Sequence, residues 1–209
     1  RSLLFPFSLG LTIAIVLLCF GMTKPFALVS IGLSGTITAG ILREWFKGTR
    51  ARHRSGEIYP VAFVRLISAN RPRYGGYVVH LAVVMMALAI VGTYFFDIQK
   101  DVRLSPGQSV EIKDYTIRYL SAEQKQLQDH TESTAIVEVY QGDEPLGLLK
   151  PQQTFYPAFS IRPARAAIHS TLLEDLYIIP NDFFQDGSVG FRILVNPLVM
   201  WLWLAGPVM

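Results

Sequence analysis

Cysteine is nearly missing from this chain: one thiol, Cys19, among 209 residues. A lone cysteine excludes an intrachain disulfide and any CxxC metal or redox site. Inside a run of apolar residues it reads as a small filler. Charge is scarce as well, with Asp, Glu, Lys and Arg at 17% against roughly 25% in soluble globular proteins. Neither a GxSxG elbow nor an EF-hand spacing occurs, so a serine-hydrolase nucleophile and a calcium loop lack support. No Asp or Glu stands well inside an apolar block, which leaves a proton relay through those blocks unsupported.

Long hydrophobic runs are what the chain has instead. They form four blocks: Leu3 to Gly21, Pro25 to Leu42, Tyr77 to Phe96, and Ile193 to Met209. At about 1.5 Å per helical residue the first and third can cross a hydrocarbon core of about 30 Å. The second, at about eighteen residues, is marginal. The fourth stops at the chain's end before a span is complete. A cleaved signal peptide does not fit the first block, which is too long and is followed at once by another. The chain opens with Arg and enters a hydrophobic helix directly, the expectation for a segment of a longer polytopic protein.

The expected class is therefore a membrane protein, with α-helical transmembrane spans and a β-rich extracytoplasmic (periplasmic) domain. The expected divisions are two transmembrane helices in 1–43, a basic cytoplasmic loop in 44–75 and a third span in 76–96. A periplasmic β-rich domain occupies 97–191, and a further span begins in 192–209. Orientation follows from charge. Arg43, Lys47, Arg50, Arg52, Arg54, Arg65, Arg71 and Arg73 crowd one short connection against only Glu44 and Glu57, the mark of a cytoplasmic face. The 97–190 segment carries fourteen acidic and eight basic residues, as suits the outer side. Basic KGTRARHR is read as contact with anionic lipid headgroups rather than with nucleic acid. Residues 61–68 are expected as a short interfacial helix with Arg65 facing out, broken by Pro72 and Gly75-Gly76 before the next span.

The 97–190 segment lacks helical periodicity. Runs such as SVEI, YTIRYL and TAIVEVY alternate or are β-branched and are punctuated by turn residues. In TAIVEVY, Ala135, Val137 and Val139 share one side, and QGDEP has the composition of a hairpin turn. A sandwich or barrel of six to eight strands is expected. Its chemistry is thin. His169, Ser170 and Asp175 are sequence neighbours, which rarely make a triad. Asp97 with Asp101, and Glu174 with Asp175, read as solvated acidic surface, and His130 lies in polar AEQKQLQDHTES, read as an exposed loop.

One ionisable ring is out of place. In RYGGYVVHLAVVMMALAIVGTYFF, Arg73 to Phe96, His80 sits about 5 Å inside the apolar core. An unpaired ring nitrogen there is unfavourable. Its nitrogen can hydrogen-bond a neighbouring carbonyl or hydroxyl, shuttle protons, or coordinate a metal. Leu81, Val83, Val84, Met85 and Leu88 offer an apolar wall suited to a porphyrin or to another helix.

RPRYGGYVVHLAVVMMALAI, VRLSPGQSVEI, TESTAIVEVYQGDEPLGLLKPQQTFYP, AAIHSTLLEDLYI and FRILVNPLVMWLWLAG follow in an order running through nearly the whole chain. Together they resemble the carboxy-terminal part of the CcmF/NrfE-type haem lyases of bacterial cytochrome c maturation. The resemblance implies a protein of the bacterial inner membrane. It receives haem, as substrate, from a periplasmic haem chaperone. It joins the haem vinyls to CxxCH cysteines of apocytochrome c, alongside a thiol-handling partner. It also implies a stable intramembrane haem b held by two histidines, one matching His80 after the GG lead, which is thought to keep the substrate haem reduced. The tryptophan-rich WWD segment and the other haem-ligating histidines do not occur in this stretch. Ligation by this stretch alone is therefore not expected, and no catalytic residue is assigned. The competing reading is a non-catalytic, membrane-anchored scaffold whose β-domain binds assembly partners; a transporter fragment has only Pro197 in its favour.

Overall fold

The computed structural model describes residues 3–208. It divides into two compact units, one of helices up to Phe95 and from Leu198 onward, the other Phe96–Pro197. The helical unit contains α1 (Leu4–Cys19), α2 (Pro25–His53), α3 (Tyr59–Ala69), α4 (Arg71–Phe95) and α5 (Val199–Ala205). Pro25 opens α2 at its first position, where the missing N–H costs nothing. α1 and α2 meet through glycine: a Cβ on Gly10 would lie 2.3 Å from the Gly32 carbonyl oxygen. Only a residue without a side chain permits that approach.

Several boundaries differ from the sequence expectation. The first block yields a helix of 16 residues, because Phe20 to Thr23 form a turn in which Gly21 takes φ 93°. Among the described residues, the two helices long and apolar enough to cross a membrane are α2 and α4. α2 does not stop at residue 43 but runs ten residues further, to His53. Arg and Lys are good helix formers, and the stop comes only at Gly56, in the left-handed region at φ 96°. His53 donates from Nδ1 to the Glu57 carbonyl at 2.7 Å and stacks on Tyr59. The short helix expected at 61–68 spans Tyr59–Ala69, with exposed Arg65 bonded to Glu57 at 3.0 Å. Its break is at Asn70, not at Pro72 or Gly75-Gly76, which lie inside α4. Pro72 stands in the first turn of α4, where proline is tolerated.

The second unit is a two-sheet sandwich of ten strands. One sheet has the order β1-β10-β9-β8, from Ile98–Leu104, Val189–Pro197, Glu174–Phe183 and Ala167–Ser170. The other runs β2-β3-β4-β6-β7, from Ser109–Ile112, Tyr115–Gln126, Thr131–Gln141, Gln152–Phe155 and Ala164–Arg165. β5 (Glu144–Leu149) also pairs with β4. Alternation builds the core. Tyr115, Ile117, Tyr119, Ala135, Val137 and Val139 from one sheet meet Leu176, Ile178, Phe191, Ile193 and Val195 from the other in one buried cluster. Gly142, at φ 57°, turns β4 into β5 at the expected QGDEP hairpin.

AEQKQLQDHTES is not a loop. It is the end of β3, a short turn and the start of β4, paired from Ala122↔Ala135 to Gln126↔Thr131. Polar side chains there face solvent on both sides, so the alternation that marks a half-buried strand is absent. Likewise 192–197 is strand rather than the start of a span. Ile193 and Val195 point into the sandwich core, a period of two that a purely apolar count cannot separate from a helix.

Candidate functional site

α4 buries Tyr74, Ala82, Val84, Ala89, Val91 and Gly92 and packs against α2, α3 and α5. Turning along the helix, Gly76, His80, Val83, Ala87, Ile90 and Tyr94 recur at intervals of three and four and so share one face. His80, Val83, Ile90 and Tyr94 on that face are exposed, and Gly76 and Ala87 are half-buried. This is an apolar stripe carrying one imidazole.

The His80 ring is oriented by its own helix. Nδ1 lies 2.6 Å from the Gly76 carbonyl oxygen. A carbonyl only accepts, so Nδ1 carries a proton, and it is Nε2 that holds the lone pair of the neutral ring. Gly76 has open space where a Cβ would stand, so the turn preceding the ring is flat. The wall expected from Leu81, Val83, Val84, Met85 and Leu88 is only partly on this side. Val83 shares the open face, Val84 is buried, and Leu81, Met85 and Leu88 are half-buried elsewhere around the helix. Gly76, Ala87 and Ile90 were the missed members. Their three-and-four spacing from His80 was the signal that could have found them.

The donor set fits one axial position of a haem. Its requirements are a neutral imidazole, a proton held on Nδ1 by a backbone acceptor, and a bare Nε2 on an apolar face. Among the described residues no cluster of three or more His, Cys, Asp or Glu could hold a metal ion by itself. The other histidines are occupied differently. His130 bonds Asp129 through Nδ1 at 2.7 Å and lies 3.4 Å from Glu132 through Nε2. The Asp129 hydrogen bond raises its pKa, with Glu132 adding to it against desolvation. Both its nitrogens are therefore spent. His169 and Ser170 are successive residues of β8, opposite Leu176 and Asp175; their side chains leave on opposite faces of the strand, and no triad forms. Asp101 is held by Arg192 and Gln99, Glu174 by Lys113, and Cys19 is exposed.

A second feature of the helical unit is an apolar groove of about 380 Å³ whose walls include Pro6, Thr36, Ile41 and Tyr77. Glu44 at its rim bonds Arg73 at 2.8 Å. Tyr77 lies one turn before His80, but the imidazole is not part of the groove wall.

Known proteins resemble both units. Residues 95–197 match the CcmF C-terminal beta-sandwich family. Cytochrome c-type biogenesis protein CcmF of Haemophilus influenzae is 24% identical over 198 residues, covering 91% of this chain and 30% of that protein. Cytochrome c-type biogenesis protein ccl1 of Rhodobacter capsulatus is 29% identical over 202 residues, covering 94% of this chain and 29% of its own. NrfE of H. influenzae is 25% identical over 137 residues. A solved structure, Cytochrome c Heme Lyase CcmF, superposes with a TM-score of 0.72 at 22% identity, over 99% of this chain and 32% of that one. That likeness shows the shared fold. The chain spans between about a fifth and three-tenths of the length of the curated relatives just described. Residues 95–197 thus belong to the CcmF C-terminal beta-sandwich family, and the chain as a whole, helices included, is similar to the carboxy-terminal part of CcmF/NrfE-type cytochrome c-type biogenesis proteins.

Proposed function

We propose that this chain is part of a haem lyase of the bacterial inner membrane, and that His80 is an axial ligand of a resident b-type haem. α1, α2 and α4 cross or enter the bilayer, the Arg-rich stretch from Arg43 to Arg73 lies on the cytoplasmic side, and the sandwich lies in the periplasm. There the protein takes haem, its substrate, from a periplasmic chaperone. It presents the haem to the CxxCH cysteines of apocytochrome c, delivered with a thiol-handling partner. The observation that carries the reading is the bare Nε2 of His80 on the open stripe of α4.

Each residue of the stripe has a part. Gly76 accepts from Nδ1, which fixes the tautomer, sets the ring plane and makes Nε2 the better donor. Gly76 and Ala87 leave room on either side of the ring for a flat macrocycle. Val83 and Ile90 give the stripe an aliphatic surface against which an apolar macrocycle can pack. When bound, such a haem supplies one-electron chemistry tuned by its axial ligands and burial. The second ligand comes from outside the residues described here.

Optical spectroscopy of the intact protein in detergent tests this. A bis-imidazole b-type spectrum is expected. His80→Ala should strip most of the haem or leave it five-coordinate, with free imidazole restoring the spectrum. Wild-type haem content and an unchanged spectrum in His80→Ala, with unchanged yield of c-type cytochrome, would overturn the assignment in favour of a scaffold.

A further inference from the structure

The sandwich carries a groove of its own, and the floor of that groove follows from strand register. On β4, Thr131 and Ser133 continue the face that Ala135, Val137 and Val139 present to the core. Gln124 of β3 stands opposite Ser133, and Gln153 of β6 pairs with Ser133 from the other side. The three make a row of uncharged hydrogen-bonding side chains across one face. Ala135 is fully buried, whereas Ala122 opposite it and Gln124 are exposed. The cover from the other sheet therefore ends here, at Phe183 and Phe184. Two adjoining depressions, of about 330 and 170 Å³, share Gln124, Ser133 and Phe183 and form one groove.

Its polar groups are set for a guest. Gln153 is 8% exposed, and its Nε2 donates to the Asn181 carbonyl at 2.6 Å. A carbonyl only accepts, so the unused part of that carboxamide is its oxygen, which has no donor among the described residues. Beside it the chain folds back on itself. The Thr154 N–H donates to the Pro163 carbonyl and the Tyr156 N–H to the Ile161 carbonyl, both at 3.0 Å. This lays the Arg162 guanidinium over the Phe155 ring, 5.0 Å from its centre, with no carboxylate paired to it among the described residues. Glu123, at the β3 end of the groove, likewise has no ion pair among the described residues.

We infer that this groove holds a short stretch of extended polypeptide, with a carboxylate seated on Arg162 and a basic group toward Glu123. A peptide offers one donor and one acceptor at each residue. Glutamine carboxamides and the hydroxyls of serine and threonine match both, since each donates and accepts. Phe155, Phe183 and Phe184 give aromatic surface to the side chains between. Opposite charges at the two ends favour a dipolar guest over a neutral glycan, which would leave both unpaired. From β3 to β6 there are two interstrand spacings, about 10 Å, or about three extended residues. Such binding involves the sandwich alone and does not depend on haem at His80.

Fluorescence anisotropy with the intact protein in detergent tests this. The probes are short dye-labelled peptides with blocked termini, built of glycine and serine around a core of Lys-Leu-Ser-Asp, Lys-Leu-Ser-Lys or Asp-Leu-Ser-Asp. The Lys-Leu-Ser-Asp probe should bind saturably and about tenfold more tightly than either like-charged one, the scale of one charge-assisted pair. Arg162→Glu should turn the preference to Lys-Leu-Ser-Lys, and Glu123→Lys should turn it to Asp-Leu-Ser-Asp. Both residues are exposed, so neither exchange disturbs the core. Equal affinity for the three probes, an Arg162→Glu variant that keeps the wild-type order, or no saturable binding overturns the inference. Displacement of the Lys-Leu-Ser-Asp probe by maltohexaose, a neutral oligosaccharide, also overturns it, since the groove then takes glycans.

Discussion

The two halves of this molecule solve the burial problem in opposite ways. In the sandwich, Ile117, Tyr119, Val137, Val139, Ile178 and Ile193 are fully inside, and most polar strand members face out, although Gln153 and the Glu174-Asp175 pair expected at the surface are buried. In the helices, only 28% of each candidate spanning stretch is buried, while Phe26, Leu33, Val83 and Ile90 lie open. A β-sheet pair covers its apolar faces with each other. Helices that are apolar all round, like these, suit an apolar solvent or further helices. The difference teaches where each half gets its stability. Water drives one to close on itself, and the surroundings of the other have to supply what its own residues do not.

Separating the halves is the largest break of that comparison. A piece spanning 96–197 is expected to be soluble and to unfold cooperatively by circular dichroism, whereas one spanning 3–95 should precipitate without detergent. A detergent requirement for the 96–197 piece would undo the contrast. Within the halves, matched truncations sharpen it. Tyr119 meets Phe191 edge-on with ring centres 5.5 Å apart, so Tyr119→Ala should cost about 3–5 kcal/mol by denaturant titration. Ile90→Ala on the open stripe of α4 should cost well under about 1 kcal/mol in detergent.

The α1–α2 contact is intermediate. Gly10→Val would drive a side chain onto the Gly32 carbonyl and the Thr36 hydroxyl, with an expected loss of about 1–3 kcal/mol seen as lower thermal stability in detergent. The smallest effect belongs to the β3–β4 turn. Hydrogen bonding to Asp129 raises the His130 pKa, and the same bond lowers that of Asp129. The His130 contribution is thus present below the ordinary histidine pKa and lost as pH rises through its raised one. The Asp129 contribution is present above the ordinary carboxylate pKa and lost as pH falls through its lowered one. Asp129→Asn should move the His130 titration, followed by NMR, downward. An unchanged midpoint would mean that Glu132 alone holds the ring.

Much of the sandwich was legible because its strands alternate. Ala135, Val137 and Val139 were placed on one side by period alone, and all three are buried. The β3–β4 extension was not legible, since Gln124, Lys125 and Gln126 are polar on both faces and are held by backbone pairing and by the Thr131 hydroxyl donating to Gln126 Oε1. The end of β10 was misread for the opposite reason: Ile193, Leu194 and Val195 are apolar in sequence, and only the opposing sheet distinguishes inner from outer members. For the site, His80 could be singled out from the apolar run around it. Which atom it offers could not, because the Gly76 carbonyl that settles the tautomer is a backbone group with no signature in the sequence.

By itself the sequence determined the division into apolar helices and a β unit, the clustering of basic residues from Arg43 to Arg73 and the isolation of one imidazole among aliphatic neighbours. These are matters of composition and local period, which act without knowledge of distant residues. The tertiary structure alone decided how far α2 runs, where β10 ends, how closely Gly10 approaches Gly32 and how β1 and β9 register against β10. Those depend on pairings between segments far apart in the chain, where hydrogen-bond register and excluded volume, rather than local preference, have the final word.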